Sequence, residues 1–114
     1  MIQNQEFTYI GKSNVLKGEF EFSDQTYIAG TVDGLISMKQ KHKIILEVGS
    51  HVNSIIHCFD LDIYGTYTGE IHSEGLVTFY PSANFEGKVY AKNIEIFPGA
   101  IINMQGQTAK ENFK

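Results

Sequence analysis

Apolar residues recur along this chain in a pattern longer than any single strand or helix. A unit of apolar residue, any residue, then a small residue appears as Leu16-Lys17-Gly18, Val32-Asp33-Gly34, Val52-Asn53-Ser54, Tyr67-Thr68-Gly69 and Phe85-Glu86-Gly87. A degenerate copy is Ile102-Asn103-Met104. The third positions, 18, 34, 54, 69, 87 and 104, are spaced by 16, 20, 15, 18 and 17 residues. Two positions further on stand Phe20, Ile36, Ile56, Ile71 and Val89, with Gly106 breaking the series. Upstream lie the alternating pairs Ile44 and Leu46, Leu61 and Ile63, Val77 and Phe79, and Ile94 and Ile96. Alternation of apolar with polar residues over short runs marks half-buried strands. No segment carries a long helical stripe with caps at both ends.

The connections repeat too. Tyr80-Pro81-Ser82-Ala83 and Phe97-Pro98-Gly99-Ala100 read as copies of one turn, and Ala29-Gly30 and Tyr64-Gly65 as a shorter version. The 20-residue step is assigned to the polar insert Lys39 to Lys43. A strand of five residues cannot bury a face alone, but stacking equivalent strands ~4.8 Å apart completes their ladders and aligns like side chains in columns. The pattern predicts an all-β, right-handed parallel β-helix, a triangular solenoid of about six coils. Three short sheets would form its faces, with Gly and Ser at corners where φ turns positive. A β-sandwich has no reason to copy its corners at a fixed period. A left-handed hexapeptide solenoid needs an aliphatic residue every six positions, a beat this chain does not keep.

The units Ile28-Ala29-Gly30-Thr31-Val32-Asp33-Gly34-Leu35-Ile36 and Ile63-Tyr64-Gly65-Thr66-Tyr67-Thr68-Gly69-Glu70-Ile71, with the corner Pro98-Gly99-Ala100, resemble the bactofilins, a family of bacterial polymer-forming proteins. The likeness spans residues 9–106, leaving a short N-terminal tail, 1–8, and a polar C-terminal tail, 107–114. It implies a right-handed β-helix that joins end to end into filaments without nucleotide. It also implies a scaffold for cell shape or the cell envelope near the inner membrane, in contact with cell-envelope enzymes. Ser54 and Met104 depart from the glycines expected, and the Lys39 to Lys43 insert is unusual. Family members often carry an N-terminal membrane-targeting segment; here Met1 to Thr8 holds Ile2 and Phe7 but no basic residue.

Polymerisation also follows from the solenoid itself, because its first and last coils expose an apolar cross-section and unpaired strand edges. The first coil offers Tyr9, Val15, Leu16, Phe20 and Phe22, and the last offers Ile94, Ile96, Ile101, Ile102 and Met104. The rival is a tail folded over an end. Residues 107–114 are polar apart from Ala109 and Phe113, which makes only a thin cap.

Composition adds little beyond this. With 114 residues the chain is one domain able to bury a core, and its net charge of −4 selects no partner. The 9 Lys and Arg are scattered except for Lys39, Lys41 and Lys43, so nucleic-acid binding is not expected. One cysteine, Cys58, precludes an intrachain disulfide and suits a reducing compartment. With no apolar run long enough to span a bilayer and no signal-peptide pattern, the expectation is a cytoplasmic protein, and the resemblance to bactofilins implies a place at the cytoplasmic face of the inner membrane.

Candidate chemistry is sparse. His57 and His72 follow their anchors by three residues and should stack outward on neighbouring coils, where they could share a metal with His51 or His42. Surface histidines on strands are the ordinary explanation, and no carboxylate is placed beside them by the pattern. Cys58 should point inward in line with Phe22, Met38, Ser73 and Ala91, as a core thiol. Glu19, Glu70 and Glu86 lie on the outward side with no substrate cleft, and the basic loop around His42 reads as surface. Glycines recur at coil spacing rather than before a helix, so no phosphate loop is present. The reading is therefore a non-enzymatic scaffold with no cofactor. The alternatives are a left-handed β-helix enzyme of acyltransferase or carbonic anhydrase type, and a module that recruits partners along its flat faces.

Overall fold

The structure, a computed structural model, describes residues 7–105 and the short strand Asn112–Phe113. Met1 to Glu6, with Ile2, lie outside the described residues, as do Gly106 and the rest of the C-terminal tail with Ala109. In chain order the strands are β1 (Phe7–Ile10), β2 (Val15–Phe22), β3 (Gln25–Ile28), β4 (Thr31–Met38), β5 (Lys43–Leu46), β6 (His51–Cys58) and β7 (Asp60–Ile63). They continue as β8 (Thr66–Ser73), β9 (Leu76–Phe79), β10 (Asn84–Tyr90), β11 (Asn93–Ile96), β12 (Ile101–Met104) and β13 (Asn112–Phe113). Among the described residues there is no helix.

Every pairing is parallel and joins a strand to its equivalent one coil away, so the chain is a β-solenoid of about six turns. Odd-numbered strands build one sheet, ordered β1-β3-β5-β7-β9-β11-β13; even-numbered strands build the other, ordered β12-β10-β8-β6-β4-β2. The inward columns are those the repeat predicts. Leu16, Val32, Val52, Tyr67, Phe85 and Ile102 stack in register, as do Phe20, Ile36, Ile56, Ile71 and Val89. The upstream pairs form two further columns in the odd-numbered sheet.

Three short sheets are expected from the repeat; the described residues form two. The two columns flanking the anchor lie on one eight-residue strand, which turns at the anchor glycine without leaving its ladder, as the register Gly18↔Gly34 shows. Gly34 has φ 142° and Gly87 φ 144°, a region open to glycine because it has no Cβ. Ser54 departs from the expected corner: among the described residues no residue other than glycine has a positive φ. The Tyr67 hydroxyl fills the serine corner, lying 2.9 Å from the Ser54 carbonyl, 2.6 Å from the Glu70 carbonyl and 3.2 Å from Ser54 Oγ. These partners satisfy a phenol that is otherwise wholly buried.

The 20-residue step has two sources. The loop of residues 39–42 replaces the single residue Phe59 of the next coil, and Lys43 already belongs to β5. The rest comes from the turn of residues 47–50, longer than Tyr64-Gly65. That turn is one of four alike. Asn14 N–H donates to Gly11 (3.1 Å), Ser50 to Glu47 (3.0 Å), Ala83 to Tyr80 (2.8 Å) and Ala100 to Phe97 (3.3 Å).

Ser50 thus stands where two of the other three turns place Ala83 and Ala100 and the first places Asn14. It is fully buried, and its Oγ has no hydrogen-bond partner among the described residues. Ser50→Ala is expected to leave stability unchanged or raise it by up to ~1 kcal/mol, read from the urea midpoint. A clear loss of stability would mean that the hydroxyl is satisfied.

Candidate assembly interface

A solenoid built from near-identical coils has special chemistry only where the stack stops. Val32, Val52, Tyr67 and Phe85 are buried within their column, whereas its first and last members, Leu16 and Ile102, are half-buried. Phe20 is half-buried above a wholly buried Ile36, Phe22 above a buried Met38, and Met104 below Gly87. On the N-terminal end, the Phe20 and Phe22 rings lie parallel with centroids 6.4 Å apart. The apolar side chains at the ends of the even-numbered sheet are therefore Leu16, Phe20 and Phe22 at one terminus and Ile102 and Met104 at the other. Ile96, by contrast, is followed by Phe113 of β13, where the C-terminal tail adds a strand to the odd-numbered sheet, as the rival reading allowed.

The remaining candidates fall elsewhere. Tyr9 stacks over the outward Tyr27, while Val15 and Ile101 continue the outward column of Thr31, His51, Thr66 and Asn84. All three are more than half exposed on the wall rather than on the axis. Ile94 is wholly buried, and β13 pairs beside it, Glu95 with Asn112 and Ile96 with Phe113. β1 begins at Phe7, inside the expected N-terminal tail.

Outward chemistry is arranged as ladders. His57 and His72 stack with centroids 4.7 Å apart and 13° between planes, and Tyr90 extends the stack at 4.9 Å. A carboxylate does stand beside them: His72 Nε2 is 3.1 Å from Glu70 Oε1. Face-to-face rings aim their nitrogens along parallel planes and cannot converge on one ion at ~2.0 Å. His51 lies across the Ser54 corner of β6 from His57, in the column of Thr31 and Thr66. Among the described residues no three His, Cys, Asp or Glu side chains group as a metal site. A second ladder, Tyr64, Tyr80 and Phe97, runs along the turns with centroids 4.1 and 5.3 Å apart; each ring is the first residue of one of the turns that the sequence repeats. The basic loop is partly neutralised, with Lys39 3.1 Å from Glu21 and Lys43 3.2 Å from Asp62. The first pair is exposed on both sides and contributes little to stability. Glu19 and Glu70 share one outward column and Glu86 occupies another, so they form no acid/base pair.

Cys58 points inward as expected. Burial pushes its thiol from 9.0 up to about 12, the Asp60 carboxylate adds to this, and the Ser73 hydroxyl opposes it. The thiol is thus protonated and inert at neutral pH. A raised pKa gives stability that is complete below the unfolded value and lost as pH climbs toward the folded one. Unfolding by alkali is therefore expected between pH 9 and about 12, and Cys58→Ala should flatten the stability profile there. Unchanged slopes in urea melts across that window would contradict it. Burial likewise raises the Tyr67 phenol, in the same direction.

A family model described as "Bactofilin: Polymer-forming cytoskeletal" matches residues 8–107. Bactofilin BacO of Myxococcus xanthus (strain DK1622) is 32% identical over 93 residues, covering 82% of this chain and 72% of that relative. No solved structure matches the chain. Neither match points toward an acyltransferase or a carbonic anhydrase. No helix among the described residues is long and apolar enough to cross a membrane. A stack of parallel coils, matched over residues 8–107 by a polymer-forming family, places this chain among the bactofilins, as a cytoskeletal scaffold.

Proposed function

We propose that this bactofilin polymerises end to end through its terminal coils, without nucleotide, into filaments that support cell shape or organise the cell envelope from the bacterial cytoplasm. The observation that carries this is the half-exposure of Leu16, Phe20 and Phe22 at one end and of Ile102 at the other, in columns whose members between them are buried. Joining two ends would bury these side chains and extend both ladders. At ~25 cal/mol per Å2, an apolar contact of ~300 Å2 contributes several kcal/mol before association entropy is subtracted.

The same reading makes the protein a scaffold without catalysis. The inert Cys58 and the stacked, non-converging histidines support that part of it. Recruitment of envelope enzymes along the outward walls, and peripheral contact with the cytoplasmic face of the inner membrane, belong to this proposal too. The two aromatic ladders are the surfaces suited to a protein partner.

Electron microscopy of the purified chain over a concentration series, with and without ATP or GTP, tests the reading. Filaments should form above a threshold concentration in both conditions. A monomer at every concentration, or filaments only with nucleotide, would overturn it.

A further inference from the structure

The corner glycines share a feature that reaches across coil boundaries. A Cβ added at Gly34 would lie 2.8 Å from the carbonyl carbon of Gly18, at Gly69 3.0 Å from that of Ser54, and at Gly87 2.8 Å from that of Gly69. Each points at the backbone of the preceding coil. Among the described residues the same Cβ at Gly18 meets nothing within 4 Å, because β2 is the edge strand of its sheet there. Gly18 nevertheless has φ 133°, close to the 142° of Gly34. The space facing Gly18 thus has the form that a coil's backbone fills at every interior corner, and it is bordered by the half-buried Leu16 and Phe20.

We propose that a second copy of this chain lays a terminal strand edge against β2 at this point, backbone on backbone, and that Gly18 is the residue that admits it. This rests on the end-to-end reading and gives that reading a determinant. A copy of the chain is the occupant because its terminal coils carry the cross-section that interior coils present to one another. The parallel ladders through Gly18, Gly34, Ser54, Gly69 and Gly87 show that such cross-sections stack. A side chain at Gly18 would stand in the gap while leaving the single chain's interior untouched.

Gly49 supplies a control. It also has a positive φ, 88°, and a Cβ there meets nothing within 4 Å, but it lies in the turn between β5 and β6, away from both ends. Both substitutions strain the backbone, Gly18→Ala at φ 133° more than Gly49→Ala at 88°, so both should lower the melting temperature, and assembly is compared below the transitions of both. Only Gly18→Ala should raise the concentration needed for assembly, by about tenfold or more, for a contact weakened past the tenfold threshold. Arrest as monomers or as dimers supports the proposal equally; dimers mean that the opposite end still joins. A folded Gly18→Ala chain that assembles like wild type overturns the proposal while the end-to-end reading stands. A wild-type chain that never assembles overturns both. Should Gly18→Ala fail to fold, hydrogen exchange on wild-type filaments decides the matter. β2 amides not bonded to β4 should exchange more slowly in filaments than in dispersed chains, and equal rates would overturn the proposal.

Discussion

Replacing Gly34 with alanine is expected to destabilise the chain by ~3 kcal/mol or more, measured by urea unfolding below the assembly concentration. Two causes add. Gly34 holds φ 142°, which an L side chain adopts only with strain, and its Cβ would sit 2.8 Å from the carbonyl carbon and 3.0 Å from the nitrogen of Gly18. Neither backbone can yield, because the ladder fixes the strands on both sides of the corner, from Val15↔Thr31 to Phe22↔Met38. Gly49→Ala, with positive φ but open space, should cost only about 1 to 2 kcal/mol. Equal losses for the two variants would mean that the corner is not closely packed.

Phe20→Glu should abolish filaments while keeping the fold, and Ile36→Glu, one coil further in, should unfold the chain. The two residues share a column, Phe20 half-buried at the end and Ile36 1% exposed in the middle. At the end, glutamate can turn toward water in the single chain, for a cost below ~1.5 kcal/mol; at a joint it would be buried without a partner. At position 36 the charge is buried at once, for several kcal/mol. Circular dichroism with sedimentation separates the outcomes. Filaments of Phe20→Glu at the wild-type threshold concentration would remove Phe20 from the joint.

The columns were legible in the sequence because every inward position of the even-numbered strands is apolar or small, and the period survives changes of loop length. Legibility fails where the backbone or a neighbour decides. Thr26 is wholly buried in the column of Ile44, yet a threonine hides the strand from an apolar count; its hydroxyl is satisfied by the Asp24 carbonyl at 3.0 Å. The turns Gly11 to Asn14 and Glu47 to Ser50 bear little likeness to the two proline turns, but one backbone hydrogen bond closes all four. That bond asks for a conformation, not for a residue type. At the ends, apolarity alone did not separate axis from wall. Tyr9, Val15 and Ile101 have the character of joint residues, and only strand parity sends them outward. Gly18 was visible as the first member of the glycine series, whereas the open space facing it belongs to the fold.

Cryo-electron microscopy of the filaments, at a resolution that separates strands, tests the central claim most directly. Strands should run across the filament axis, with the ~4.8 Å ladder continuing without interruption from one subunit's terminal coil into the next. Solenoids lying side by side, with β2 and β12 facing solvent, would contradict assembly through the coil ends.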